Sequence, residues 1–163
     1  MKLSEDLIKD IYAYGAAGRE AWKKGEIADA EVSFIKAWEI LPEPREQYDL
    51  AQSMARGFVV FYRDTKQFDK AVHWLAEVKE AYGSGTGPDL TIGFLSGTVY
   101  FEAGDLDKSA EFFVPLYEQF GSRPFSGEDK KYLEFAKRSL SECLCVRHKL
   151  MAKEPRYATQ TQG

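Results

Sequence analysis

Asparagine is missing from the 163 residues, and cysteine and histidine occur only twice each. Cys143 and Cys145 cannot build a disulfide framework. In a helix, side chains two apart face different directions, and His73 and His148 stand at no ligand spacing to them. A metal centre is therefore not expected. Nor does any nucleophile–histidine–acid set stand out, so the chain reads as a non-enzyme with no catalytic residues and no cofactor. No apolar run approaches the ~20 residues of a membrane span. The opening MKLSEDLIKD places acids where a secretory signal needs a continuous apolar stretch, which makes the cytoplasm the expected compartment. GSGTG at 83–87 lacks the Lys-Ser/Thr of a phosphate loop and follows a helix, so it reads as a linker, with Pro88 and Asp89 starting the next helix.

Hydrophobic residues make up 44% and charged residues 29%, the balance of a globular chain rather than a disordered one. The length suits one domain, residues 1–153, followed by a tail, 154–163 (EPRYATQTQG), with the composition of a disordered segment. The net charge of −4 is unevenly spread. Residues 1–50 hold 7 basic and 11 acidic side chains, net −4, and residues 123–163 hold 9 and 5, net +4. That basic end is too dilute for the footprint of a nucleic-acid binder.

The sequence does contain a repeat. YFEAGDLDKSAEFF at 100–113 and AWKKGEIADAEVSF at 21–34 share one pattern, and a third copy lies between them. The first copy runs Gly18, Ala21, Gly25, Ala30, Phe34, Ala37, Pro42. The second runs Val59, Tyr62, Lys66, Ala71, Leu75, Val78, Gly83, and the third Gly97, Tyr100, Gly104, Ser109, Phe113, Leu116, Gly121. Steps of three and four keep side chains on one helix face. The middle step crosses a turn at Gly25, Lys66 or Gly104, so each copy predicts two antiparallel helices. Small residues at 18, 30, 71, 97 and 109 let backbones approach, and Phe34, Tyr62, Tyr100 and Phe113 fill the space left. Pro42, Gly83 and Gly121 predict the end of each second helix.

Ser4 with Glu5 and Asp6 marks the start of the first helix. Ser126 to Asp129 has the form of a capping box opening a last helix to about Met151. Its expected apolar stripe is Leu133, Ala136, Leu140, Cys143, Leu144 and Leu150, which would cover the open end of the stack.

This frame resembles the tetratricopeptide repeat, a unit of about 34 residues with the same small-and-aromatic order. The resemblance spans roughly residues 11–121, with the second copy departing at Val59 and Lys66. It implies an all-α fold: a right-handed stack of three helical hairpins and a C-terminal capping helix. The face of each first helix that the frame leaves over would line the concave side. Its aligned rows are Tyr12, Ser53, Thr91; Gly15, Arg56, Phe94; Arg19, Val60, Thr98; and Trp22, Arg63, Phe101. Aromatics and arginines are the types enriched at binding hot spots. The expected partner-binding residues are therefore Arg19, Trp22, Arg56, Arg63, Phe94 and Phe101. The competing expectation for Trp22 and Phe101 is packing between neighbouring helices.

The stretch at 100–113 together with FSGEDKKYLEFAKR at 125–138 resembles small bacterial tetratricopeptide-type immunity proteins of polymorphic toxins. That resemblance implies a cytoplasmic protein that binds a cognate toxin domain and neutralises it. It involves neither nucleic acid nor membrane. A tetratricopeptide-type secretion chaperone holding an extended client segment is the alternative. The chaperone-tail clamp of some members uses lysines and asparagines at set groove positions. This chain has no asparagine and its aligned rows lack that lysine pattern, so clamping of Hsp70 or Hsp90 tails is not expected.

Overall fold

The computed structural model describes residues 3–82 and 90–151. Gly83, GSGTG and the 154–163 tail lie outside the described residues. Among those described there are seven α-helices and no strand. They are α1 (Glu5–Lys24), α2 (Ile27–Glu39), α3 (Asp49–Asp64), α4 (Phe68–Tyr82), α5 (Leu90–Glu102), α6 (Leu106–Phe120) and α7 (Lys130–Met151). Short 3₁₀ turns at Arg45–Gln47 and Arg123–Phe125 precede α3 and α7. No helix of the described residues is long and apolar enough to cross a membrane.

The most extensive packing joins α1 to α2, α3 to α4 and α5 to α6, so each copy of the frame is one helical pair. The three joints are the same at the backbone. Gly25, Lys66 and Gly104 have φ of 81°, 62° and 82°, a left-handed conformation that ends a helix. The amide of each donates to the carbonyl three residues back, on Trp22, Arg63 and Phe101. The next amide, of Glu26, Gln67 or Asp105, donates to Ala21, Tyr62 or Tyr100 at 2.8–3.0 Å. Each second helix then opens with an amide of Ala30, Ala71 or Ser109 bonded to the carbonyl of that same residue 26, 67 or 105. Lys66 takes the glycine conformation without being glycine, at a cost of about 1 kcal/mol or more.

Side chains repeat the pattern. A Cβ on Gly18 would sit 2.6 Å from the Phe34 ring, and one on Gly97 2.3 Å from the Phe113 ring. The glycines therefore exist to admit the phenylalanines. In the second pair the partner is the smaller Leu75, and the glycine is replaced by Val59; both are buried. Ser109 also donates its hydroxyl to the Gly97 carbonyl at 2.9 Å, tying α6 to α5.

Successive pairs are clasped by carboxylates. Glu31 on α2 accepts from the Tyr62 hydroxyl on α3 at 2.8 Å and from Lys70 on α4 at 2.5 Å. Glu102 at the end of α5 accepts from the Tyr132 hydroxyl at 2.8 Å and Lys131 at 2.7 Å, both on α7, and from Lys66 at 3.0 Å in the α3–α4 joint. Partial burial pushes the Glu102 carboxyl up, but bonds from Lys131, Tyr132 and Lys66 outweigh it and hold the pKa at about 2. The Glu31 carboxyl is likewise low: burial opposes this, and Lys70 and Tyr62 prevail.

The last helix differs from its expected form in two respects. Asp129, not Ser126, caps it: the Asp129 carboxylate accepts from the Lys131 amide at 3.0 Å, while Ser126 ends the preceding 3₁₀ turn in an extended conformation. Its buried side is Tyr132, Phe135 and Ala136, with Leu133 half-buried. Cys143 and Leu144 are exposed, and the Leu150 side chain lies outside what is described. The rotation has a physical cause. Tyr132 and Phe135 reach the aromatic cluster of Phe94, Phe113 and Phe125, on which Ala136 and Leu133 of the expected stripe also pack.

Because its folded pKa is depressed, Glu102 stabilises the protein above the ordinary carboxylate value of 4.5, and that contribution is lost as pH falls through about 2. Glu102→Gln is expected to lower the unfolding free energy by roughly 1–3 kcal/mol at pH 7. The gap between variant and wild type should close as the pH falls below 4.5 towards 2, as measured by urea denaturation across a pH series.

Candidate functional site

The pairs are not evenly spaced along the chain. α3 and α4 both pack directly against α5, whereas the backbones of α2 and α3 approach less closely. The first two pairs meet mainly through the rings of Trp22, Phe34 and Trp38 on Phe58, Phe61 and Trp74. A cavity of about 320 Å³ opens at this looser junction. α1 supplies Tyr12, Gly15, Arg19 and Trp22 to one wall, and α3 supplies Ser53, Gly57 and Val60 to the other. Ile11, Phe34 and Phe58 line its deeper part. Small residues keep it open: a Cβ on Gly57 would meet nothing within 4 Å, and one on Gly15 would meet only the guanidinium of Arg19, at 3.3 Å.

The aligned rows of the sequence reading thus divide. Tyr12, Gly15, Arg19, Trp22, Ser53 and Val60 come together in this cleft. Tyr12 is 59% exposed at its edge. Arg19 is exposed and is the only charged residue among those lining it. Trp22 is half-buried, its ring edge-on to Phe61 at 5.1 Å and to Phe34 at 6.4 Å, so it serves the core and the cleft at once. Arg56 is exposed on α3, one helical turn from both Ser53 and Val60.

The third-pair residues go elsewhere. Phe94 is buried against Phe113, Phe125 and Tyr132. Phe101 packs on Tyr132 at 5.4 Å and Phe135 at 5.2 Å. Both lie in the seam that receives α7, because a capping helix with an aromatic underside needs an aromatic surface to cover. Arg63 has a side chain only 12% exposed. It donates to Thr98 Oγ1 on α5 at 3.0 Å and to Asp64 at 2.7 Å, and Thr98 passes a bond on to the Leu95 carbonyl. It is a tie between the second and third pairs. Phe94 is thereby buried, and Arg63 and Phe101, both only partly exposed, are engaged between α3, α5 and α7 and not in the cleft.

Sequence reasoning missed the clasp acids Glu31 and Glu102, which fall outside the repeat frame. It also missed Gly57, an exposed glycine inside a helix with no place in the pattern. A mid-helix glycine costs about 1 kcal/mol relative to alanine, which is the signal that could have marked the opening. Among the described residues no cluster of three or more His, Cys, Asp or Glu is placed to hold a metal ion. What the cleft can offer is a pre-formed apolar surface with one cation at its mouth, which suits recognition. Comparison with protein-family models, curated proteins and solved structures returned no match for this chain.

The packing predicts a separation by function. Phe101→Ala should lower the unfolding free energy by roughly 2–4 kcal/mol and Arg63→Ala by about 1–3 kcal/mol. Arg19→Ala and Arg56→Ala should change it by less than about 0.5 kcal/mol. Urea denaturation of the four single variants checks this.

Proposed function

We propose that the chain is a non-catalytic protein-binding scaffold, a tetratricopeptide-like stack of three hairpins closed by α7. Its role on this reading is that of an immunity protein that binds a cognate bacterial toxin domain and neutralises it. The observation that carries the reading is the pre-formed cleft, built from the repeat face that the frame leaves over for binding. A rigid, pre-shaped surface loses little conformational entropy on association, which favours tight stoichiometric binding. The identical joints and the carboxylate clasps support such rigidity. Aromatic area at Trp22 and Tyr12 beside Arg19 and Arg56 is the composition of a hot spot.

The chaperone alternative asks for a long continuous groove to hold an extended client. Here the face of α5 that would continue the groove is occupied by Tyr132 and Phe135 of α7. A local docking surface at one end suits the capture of a folded domain better.

Affinity capture of the tagged full chain from its native cell should yield one protein in a 1:1 complex. Co-expression with the wild-type chain should then relieve the growth arrest caused by that protein's active domain. No stoichiometric protein above the tag-only control, or a captured domain that stays as toxic with the chain as without it, would overturn the proposal.

A further inference from the structure

The cleft has three properties that together describe what fits in it. The first is size. An apolar cavity of about 150 Å³ takes one benzene-sized group, so about 320 Å³ has room for two. The second is backbone access: Gly15 and Gly57 face it from opposite helices without side chains. Glycine on both walls permits a polypeptide backbone to approach closely, which a lone small molecule would not require. The third is charge. The one charged residue lining the cleft is Arg19, and Arg56 lies on α3 one turn from the lining residues Ser53 and Val60. Among the described residues neither takes part in an ion pair, whereas other arginines such as Arg45 and Arg63 are paired with Glu43 and Asp64.

We infer that the cleft receives a short, acidic amphipathic helix of the partner protein. Two apolar side chains one turn apart enter the cavity, and flanking carboxylates meet Arg19 and Arg56. This rests on the reading of the chain as a protein-binding scaffold and names the chemistry of what it binds. Residues at i and i+3 or i+4 are about 4.5–6 Å apart along a helix, which places both anchors in one cavity. The anchors cover Trp22 and Tyr12, and the arginines fix orientation through charge-assisted bonds. The helix itself would lie across the mouth of the cleft, with its two anchors filling the cavity between α1 and α3.

The test is selection of a displayed library of 16-residue helical peptides against the full chain. Affinities are then measured by fluorescence anisotropy for wild type, Gly57→Leu and Arg19→Glu. Gly57→Leu fills the cleft from a helical position where a Cβ meets nothing, so the fold is retained, as circular dichroism can check. The expected binders carry two apolar residues three or four apart with flanking Asp or Glu. They should lose at least tenfold in affinity for Gly57→Leu and at least fivefold for Arg19→Glu. A selection that enriches no helical binders, binders indifferent to Gly57→Leu, or binders whose flanks are basic would each overturn the inference. The two proposals fail separately. A natural partner that binds Gly57→Leu as tightly as wild type removes the cleft as the docking site while leaving the scaffold reading in place. Cleft-dependent peptides from a chain that captures no partner would count against the scaffold reading alone.

Discussion

The fold depends on one steric exchange: an absent side chain on the first helix of a pair admits a large one from the second. At Gly18 and Gly97 the missing Cβ would stand inside the rings of Phe34 and Phe113. Protein interiors are close-packed, so the volume of the two residues is set jointly. The second pair obeys the same constraint with the sizes traded, Val59 against Leu75, and both partners are still buried. This exchange draws the helices of each pair together. The left-handed joints at 25, 66 and 104 then need only a short turn to connect them.

Between pairs the structure uses polar ties as well as packing. Glu31 and Glu102 each collect a tyrosine hydroxyl and at least one lysine from other elements, and Arg63 reaches Thr98. Glu31 joins the first pair to the second, Arg63 and the Lys66–Glu102 pair join the second to the third, and Glu102 also holds α7. It is the helix packing that is uneven, with the junction between the first two pairs the looser one. The uneven distribution matters for function. The aromatic cluster under α7 seals one end, so the accessible part of the repeat face is concentrated at α1 and α3.

Much of this architecture could be read from the residues. The seven-position frame located all three joints, including the one at Lys66, because it depends on local spacing and on the bulk of side chains that meet within a pair. The start of α1 at Ser4 was equally local: its hydroxyl accepts from the Leu7 amide at 3.3 Å. Contacts between pairs were less accessible. Phe94 and Phe101 have the helical spacing of a groove face, and nothing in that spacing says that Tyr132 and Phe135, some 30 residues later, will cover them. The cap of α7 was misplaced by three residues because both Ser126 and Asp129 are competent capping types, and the intervening Gly127, at φ 83°, extends the turn. Arg19 and Arg56 stayed exposed, as surface arginines do, whereas Arg63 found Asp64 and Thr98.

The central claim is that the paired volumes, rather than glycine or phenylalanine individually, hold each hairpin together. It is tested most directly by rebuilding the third pair in the image of the second. Urea denaturation would compare wild type, Gly97→Val, Phe113→Leu and the double variant. Gly97→Val alone should cost about 3 kcal/mol, the upper end of the usual overpacking range, since its Cβ and methyls would overlap the Phe113 ring. In the double variant the smaller leucine should recover most of that loss, giving a coupling of about 2 kcal/mol or more. Additive effects of the two substitutions would contradict the account.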